Sequence, residues 1–199
     1  MRARWLARLL LPYLQRKIAI ARPPDFQVIR EDKAVYLRRW WVVPRNDYFN
    51  VYLHHMIGSD DDVLHDHEYV SLSLVLTDGL RERWSVRPKE YMKDYEKLVA
   101  WRDKLWTDDK RPKIDYETQY HIKERTVREG QLVWRSSKMA HQLIVDRPAW
   151  TLFITGPRIK QWGFWCRKGF VHWKDYVGKG QDPSKTTSGG EGRGCGEMS

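Results

Sequence analysis

"VLHDHEYVSLSLVLTDG", residues 63–79, decides how the rest of the chain is read. From Val70 to Leu76 every residue is β-branched, aliphatic or serine, so the run reads as a strand that Gly79 closes. In an extended chain residues i and i+2 share a face, which sets His65 and His67 side by side just behind Asp60, Asp61 and Asp62. Two imidazoles on one face serve either as polar surface or as two ligands of one metal ion. Residues elsewhere must decide.

Other strand signals surround this one. The segments 35–43, 49–56, 81–86, 116–127, 131–136, 141–145 and 150–155 are rich in β-branched and aromatic residues, with turn sequences such as "PRND", "GSDDD" and "TGPR" separating many of them. About eight short strands so spaced read as an all-β sandwich, jelly roll or barrel. Between them "PKEYMKDYEKLVAWRDKLW" (88–106) has a helical pattern, with Pro88 suited to a first turn and Tyr91, Tyr95, Leu98 and Leu105 on its apolar face. It reads as a helical insertion. The aromatics of 161–173 are expected to cover one end of the barrel.

The two ends differ from this body. Residues 1–25 form a basic, partly helical segment in which Arg2, Arg4, Arg8, Arg16, Lys17 and Arg22 precede the first acid, Asp25. Pro12 makes a continuous helix awkward. The segment reads as a terminal helix packed on the domain, as a contact with an anionic membrane or nucleic acid, or as a targeting peptide. Residues 178–199 are about a third glycine with almost no apolar side chains, and a disordered tail is expected. A β-domain over 26–177 lies between.

Composition narrows the class. The chain of 199 residues has a formal net charge of +10, but Pro88–Glu129 holds eleven Lys or Arg against ten Asp or Glu, so the body is nearly balanced. A nucleic-acid partner is therefore only weakly indicated. Eleven Trp and ten Tyr argue for a packed core. Two cysteines far apart, Cys166 and Cys195, are no disulfide framework; they read as free thiols in a reducing compartment, Cys195 exposed. No apolar run approaches the roughly 18 residues of a membrane span. The expectation is a soluble, cytoplasmic protein.

A third histidine comes from "REGQLVWRSSKMAHQLIV" (128–145), where Gly130 opens a turn and His141 begins a strand. Here the chain resembles the cupin superfamily. Gly58, His65, His67 and Gly79 follow that family's first motif, with one extra residue before His65, and Gly130 and His141 keep the glycine-to-histidine spacing of the second. The first motif's glutamate would fall at Ser71 or Leu72, and the second motif's proline and inner glycine slots hold Ser136 and Lys138. The sequence is also similar to an often phage-encoded branch with "LHDH" and a late "WTLxxTGPR…WGFW" segment, which brings no activity of its own.

The resemblance implies a cupin-type double-stranded β-helix, a jelly-roll barrel with an N-terminal helical segment and a helical insertion between the two motifs. His65, His67 and His141 would converge near one mouth and hold one divalent transition metal. Iron stands first, with Zn, Mn, Ni and Co as the other fits to imidazole ligands. Among cupins a three-histidine site without the glutamate is similar to that of the thiol dioxygenases, which use iron. Strand parity carries Tyr69, Ser71 and Ser73 to the same face as the ligands. Tyr69 and Arg81 are the candidates to position substrate, Arg81 being as readily half of a surface ion pair. His54 is a candidate near the site, Arg158 carries Arg81's ambiguity, and Asp60–Asp62 read as a solvated turn.

Three functional readings follow. One is a metal-dependent, oxygen-using oxidoreductase acting on a small polar or anionic molecule. Another is a non-catalytic small-molecule-binding or structural cupin, and the last a nucleic-acid-associated protein using the basic N-terminus. A homodimer through sheet edges is an expectation from the family.

Overall fold

The computed structural model describes residues 3–29, 34–105, 115–177, 187–188 and 194–196. Helix α1 (Arg4–Leu14) runs through Pro12 and continues as one π-helical stretch over Gln15–Ala19. Six strands follow: β1 (Phe26–Ile29), β2 (Val35–Trp41), β3 (Asn50–Met56), β4 (Leu64–His65), β5 (Ser71–Val75) and β6 (Leu80–Ser85). Helices α2 (Pro88–Leu105) and α3 (Tyr116–Tyr120) are inserted next. Then come β7 (Lys123–Val127), β8 (Leu132–Arg135), β9 (Ala140–Val145), β10 (Ala149–Thr155), β11 (Gly163–Cys166) and β12 (Gly169–His172), helix α4 (Trp173–Val177) and a final short β13 (Thr187–Ser188).

Two sheets face each other, ordered β13-β1-β2-β3-β10-β5-β8 and β12-β11-β4-β9-β6-β7. Adjacent strands pair antiparallel, except that β13 joins β1 in parallel. This is the jelly-roll architecture that the sequence implied. The chain crosses repeatedly from one sheet to the other, and a period of two decides what each strand shows the interior. Along β10, Ala149, Thr151, Phe153 and Thr155 are buried between the sheets. Trp150 and Leu152 point outward beneath α1.

Apolar surface is buried in layers. Leu37, Met56, Val75, Leu80, Val127, Val133 and Ala149 fill one end of the space between the sheets. Ala7 and Leu14 of α1 cover Trp40, Leu53, Leu74 and Leu76 on the outside of the first sheet. On the second sheet Met92 of α2 and Tyr120 of α3 pack on Leu64, Ala140 and Trp165. Each aliphatic side chain so buried contributes about 1.5–3 kcal/mol. The start of α1 lies directly on Gly130, whose φ is +76°, and a Cβ there would come within 2.4 Å of Arg4 N.

Several elements depart from the sequence reading. Residues 116–120 are helical rather than extended, because Asp115 accepts the Thr118 amide at 2.7 Å as an N-cap and His121 ends the turn left-handed at φ 48°. The aromatic stretch after Gln161, expected to cover one end of the barrel, supplies strands β11 and β12 of the second sheet. Of the glycine-rich tail, Thr187–Ser188 pair with β1. The rest, apart from residues 194–196, lies outside the described residues, as does position 106 of the expected insertion. The cysteines are not free thiols: Cys166 is disulfide-bonded to Cys195, and both sit in the apolar cluster around Phe164, Val171 and Tyr176. Disulfides persist in oxidising surroundings, so the reason for expecting a reducing compartment falls away.

Candidate metal centre

Strand β4 is two residues long, and that suffices to place one histidine. His65 pairs directly opposite His141 of β9. The Leu64 amide donates to the Tyr116 hydroxyl at 2.9 Å, and that hydroxyl donates to the Trp165 carbonyl of β11 at 2.5 Å. The inserted α3 therefore locks β4 to its neighbour. After His65 the chain leaves the second sheet for β5 in the first, and His67 stands on this crossing. Asp66, between the two histidines, turns the other way. It accepts from the Gly163 amide at 3.0 Å and the Trp165 indole at 3.3 Å, and pairs with Lys160. The strand expected through His67 is thus broken, yet His65, His67, Tyr69 and Ser73 all line one cavity.

The three imidazoles meet in that cavity. Ring centroids lie 5.1 Å apart for His65–His67, 4.8 Å for His65–His141 and 5.0 Å for His67–His141. One ligand atom from each falls within 4.8 Å of the others. Nε2 of His67 stands 2.8 Å from Nε2 of His141. Two nitrogens bound about 2.1 Å from one ion at right angles would be about 3 Å apart. That pair is already at ligand spacing.

Burial keeps two of the donors, His67 and His141, in the ligand form. His67 is pushed well below the usual histidine range by burial first and then by the neighbouring His141 and His65. His141 is lowered to about 4, again by burial first, then by Arg135, with Glu82 opposing. Neutral imidazoles converging without a carboxylate suit a borderline divalent metal such as Fe, Zn, Co or Ni. Asp60 is no ligand of this set: its Oδ2 is 4.0 Å from His65 Nδ1, beyond hydrogen-bond reach. Of the solvated turn expected, Asp61 and Asp62 are exposed, but the Asp60 side chain is not. It is buried, accepting from the Leu143 amide at 2.6 Å and from the Tyr36 hydroxyl.

Glu82 is the residue that sequence reasoning missed. It lies on β6, fully buried, and its Oε1 is 2.9 Å from His141 Nδ1 and 2.6 Å from Arg135 Nε. Arg125 Nε binds its other oxygen at 2.7 Å, and Arg135 also donates to the Ser73 hydroxyl at 2.8 Å. Burial raises the Glu82 carboxyl, but Arg135, His141 and Arg125 outweigh it and hold the group well below the carboxylate range. An ionised Glu82 accepts the Nδ1 proton of His141, which leaves the Nε2 lone pair facing the other two rings. Such a partner fixes a ligand's tautomer and orientation. The signal for it was an acid at the same parity as buried Leu80 in the strand after Gly79.

The remaining candidates separate. Tyr69 stacks on His67 at 5.6 Å and 8°, inside the cavity, and burial pushes its hydroxyl up to about 12, so it stays a donor. Arg81 is not in the cavity. It is on the opposite face of β6 from Glu82, held by Asp146 at 3.0 Å and Glu124 at 2.7 Å. Arg158 is exposed and paired with Glu68 at 2.9 Å. His54 does face the cavity, its Nε2 accepting from Arg39 Nε at 2.8 Å. The cavity measures about 1300 Å³.

Fold and site together define a two-sheet jelly roll with three imidazoles converging in its cavity. No protein-family model matches the chain, and no curated protein sequence matches it. Among solved structures it is similar to a cupin superfamily protein from Desulfitobacterium hafniense, at 9% identity and TM-score 0.36 over 61% of this chain and 77% of that one. It is similar to the DMSP lyase DddQ from Ruegeria pomeroyi at 12% identity and TM-score 0.40, over 76% of this chain and 57% of that one. FeII HppE matches at 12% identity and TM-score 0.40 over 63% of this chain and 52% of its own, so the chain spans about half of HppE. At such distances the site has to be read from its own residues.

Proposed function

We propose that this protein is a metal-dependent cupin enzyme in which His65, His67 and His141 hold one divalent transition metal, iron first. Its activity is that of an oxygen-using oxidoreductase on a small polar or anionic molecule. The observation that carries this reading is the convergence of three imidazoles, with no carboxylate among them, on the wall of a roomy cavity, two of them (His67 and His141) held below the usual histidine range by burial.

When bound, a divalent metal supplies Lewis acidity, and iron adds one-electron chemistry toward dioxygen. The chain's own residues do the rest. Glu82 holds the His141 ring in one orientation and keeps its Nδ1 protonated. Tyr69, protonated and stacked on His67, offers a hydroxyl donor beside the ligands. Phe153, Trp162 and Phe164 line the cavity around the centre with apolar ring surface.

Metal content tests the reading. Protein purified without oxygen should carry near-stoichiometric iron by plasma mass spectrometry, and a folded His65→Ala/His141→Ala double variant should carry none. A different metal, lost in the same variant, keeps the centre and removes the reason for an oxygenase. A wild-type protein that stays metal-free after reconstitution with Fe(II), Mn(II), Ni(II), Co(II) and Zn(II) overturns the reading in favour of a non-catalytic binding module.

A further inference from the structure

Cations lining the cavity fall into groups by partner. Arg135 is tied to Glu82, Lys160 to Asp66 and Arg158 to Glu68. Arg45 and Lys174 are exposed at the rim, lying over Trp41 and Trp173. Arg39 on β2 differs from all of these. It is half-buried, and among the described residues no carboxylate meets it. Its guanidinium lies 4.8 Å from the Tyr52 ring and 5.3 Å from the Phe26 ring. Its one hydrogen bond to a described side chain is from Nε to neutral His54.

That geometry leaves a fork. A guanidinium has five N–H donors, and His54 takes only Nε–H, so the terminal pair of nitrogens stays free of any described side chain. Two parallel N–H donors match the two oxygens of a carboxylate or phosphate. Withdrawing a cation beneath aromatic rings costs desolvation, which an incoming anion offsets. His54 is itself held neutral, by burial first and then by Arg39, so it accepts from the arginine and pins it rather than repelling it.

The path from this fork to the histidines is aromatic. His54 stacks on Phe153 at 5.1 Å, and Phe153 in turn lies 6.1 Å from His67. A ligand that reached both ends would need a charged group at Arg39 and an apolar body along Phe153. We propose that Arg39 is the anion-binding residue of the cavity, and that its ligand is an organic carboxylate or phosphate with an apolar body. This rests on the three-histidine centre for the ligand's far end; the anion site itself does not need the metal.

The test is titration calorimetry on the full chain, Zn(II)-loaded and metal-free, with benzoate, phenyl phosphate, inorganic phosphate and benzyl alcohol. Wild type should bind benzoate or phenyl phosphate in both forms, and which of the two is tighter identifies the anionic group. Arg39→Met should weaken that binding at least tenfold with its Zn(II) content unchanged, and Arg39→Lys at least threefold, which serves if the methionine variant unfolds. Arg81→Met should match wild type. Undiminished affinity in both Arg39 variants, or no anion bound by wild type, overturns the proposal. Inorganic phosphate binding as well as phenyl phosphate overturns the apolar body. A protein that takes no metal yet loses benzoate on Arg39→Met drops the metal centre and keeps the anion site, so the two failures are distinct.

Discussion

His141 sits between two partners: its Nδ1 is 2.9 Å from the buried Glu82 carboxylate and its Nε2 is 2.8 Å from Nε2 of His67. The first contact fixes the proton on Nδ1, and the second shows where the remaining lone pair points. Structure and chemistry are coupled through one carboxylate, because Glu82 also neutralises Arg135 and Arg125 in the wall of the barrel.

Replacing Glu82 should therefore do two things at once. In Glu82→Gln the amide can no longer balance two guanidiniums, and removing one partner of a buried ion pair costs about 3–5 kcal/mol. Metal affinity should fall by about 10–100-fold, the usual effect of losing a ligand's orienting partner. Chelator competition on the folded variant measures the second effect, and urea melts the first. An unchanged metal affinity would mean that Glu82 serves only the barrel wall.

The Cys166–Cys195 bond makes its own prediction. It joins residues 29 apart in sequence, and bridges of that span stabilise by about 2–4 kcal/mol. Reduction, or Cys195→Ser, should lower the melting temperature by about 5–15 °C for a chain of this size. A non-reducing peptide map should recover the two cysteine peptides joined. Full alkylation of both thiols without prior reduction would rule the bond out.

How much of this could be read beforehand depends on the range of each interaction. The histidines were legible because strand parity and the Gly130-to-His141 spacing are local, and each survives the fold: His65, His67, Tyr69 and Ser73 line the cavity although the strand breaks at Asp66. Glu82 was not legible as an orienting partner, since it meets His141 across 59 residues and the sequence shows it only beside Arg81. The substrate-positioning arginine was sought on β6, where parity turns Arg81 outward to Asp146. Arg39, on the strand "VYLRRWW", has an equally basic neighbour in Arg38, and nothing local distinguishes the two. At Tyr116–Tyr120 strand propensity lost to the Asp115 cap and the left-handed His121. Composition hid the disulfide by placing Cys195 in a glycine-rich tail.

Acid should weaken the fold through His54. Its pKa lies well below 6.5 in the folded protein, owing to burial and then to Arg39 and Arg135. Above about pH 6.5 neither the folded nor the unfolded chain binds that proton, and stability is unaffected. Below it the unfolded chain takes up a proton that the folded one refuses, so stability falls as pH falls. Each such group contributes a slope of about 1.4 kcal/mol per pH unit until its folded pKa is reached. His67 and His141, also lowered by burial, add to the total, so the informative quantity is a difference. His54→Gln keeps an acceptor for Arg39 and cannot titrate, and its stability between pH 6.5 and pH 5 should fall less steeply than that of wild type. Parallel profiles would mean that His54 titrates alike in both states.

The basic first helix offers a contrast between two leucines one turn and a residue apart. Leu14 is 5% exposed and packs with Ala7 on Trp40, Leu53 and Leu74, whereas Leu9 is 64% exposed on the other side of the same helix, near Trp5 and Tyr13. Leu14→Ala opens a cavity between α1 and the first sheet, which costs about 2–5 kcal/mol. Leu9→Ala removes little buried surface and improves helix propensity, so it should stay within about 0.5 kcal/mol of wild type. Thermal melts of the two variants decide between a helix built into the domain and one merely attached to it. Equal, small effects would mean that α1 is attached. A large loss confined to Leu14→Ala would mean that deleting residues 1–24 strips the first sheet, so that a role for Arg8, Arg16 and Lys17 in nucleic-acid binding has to be tested by neutralising those charges in the intact chain.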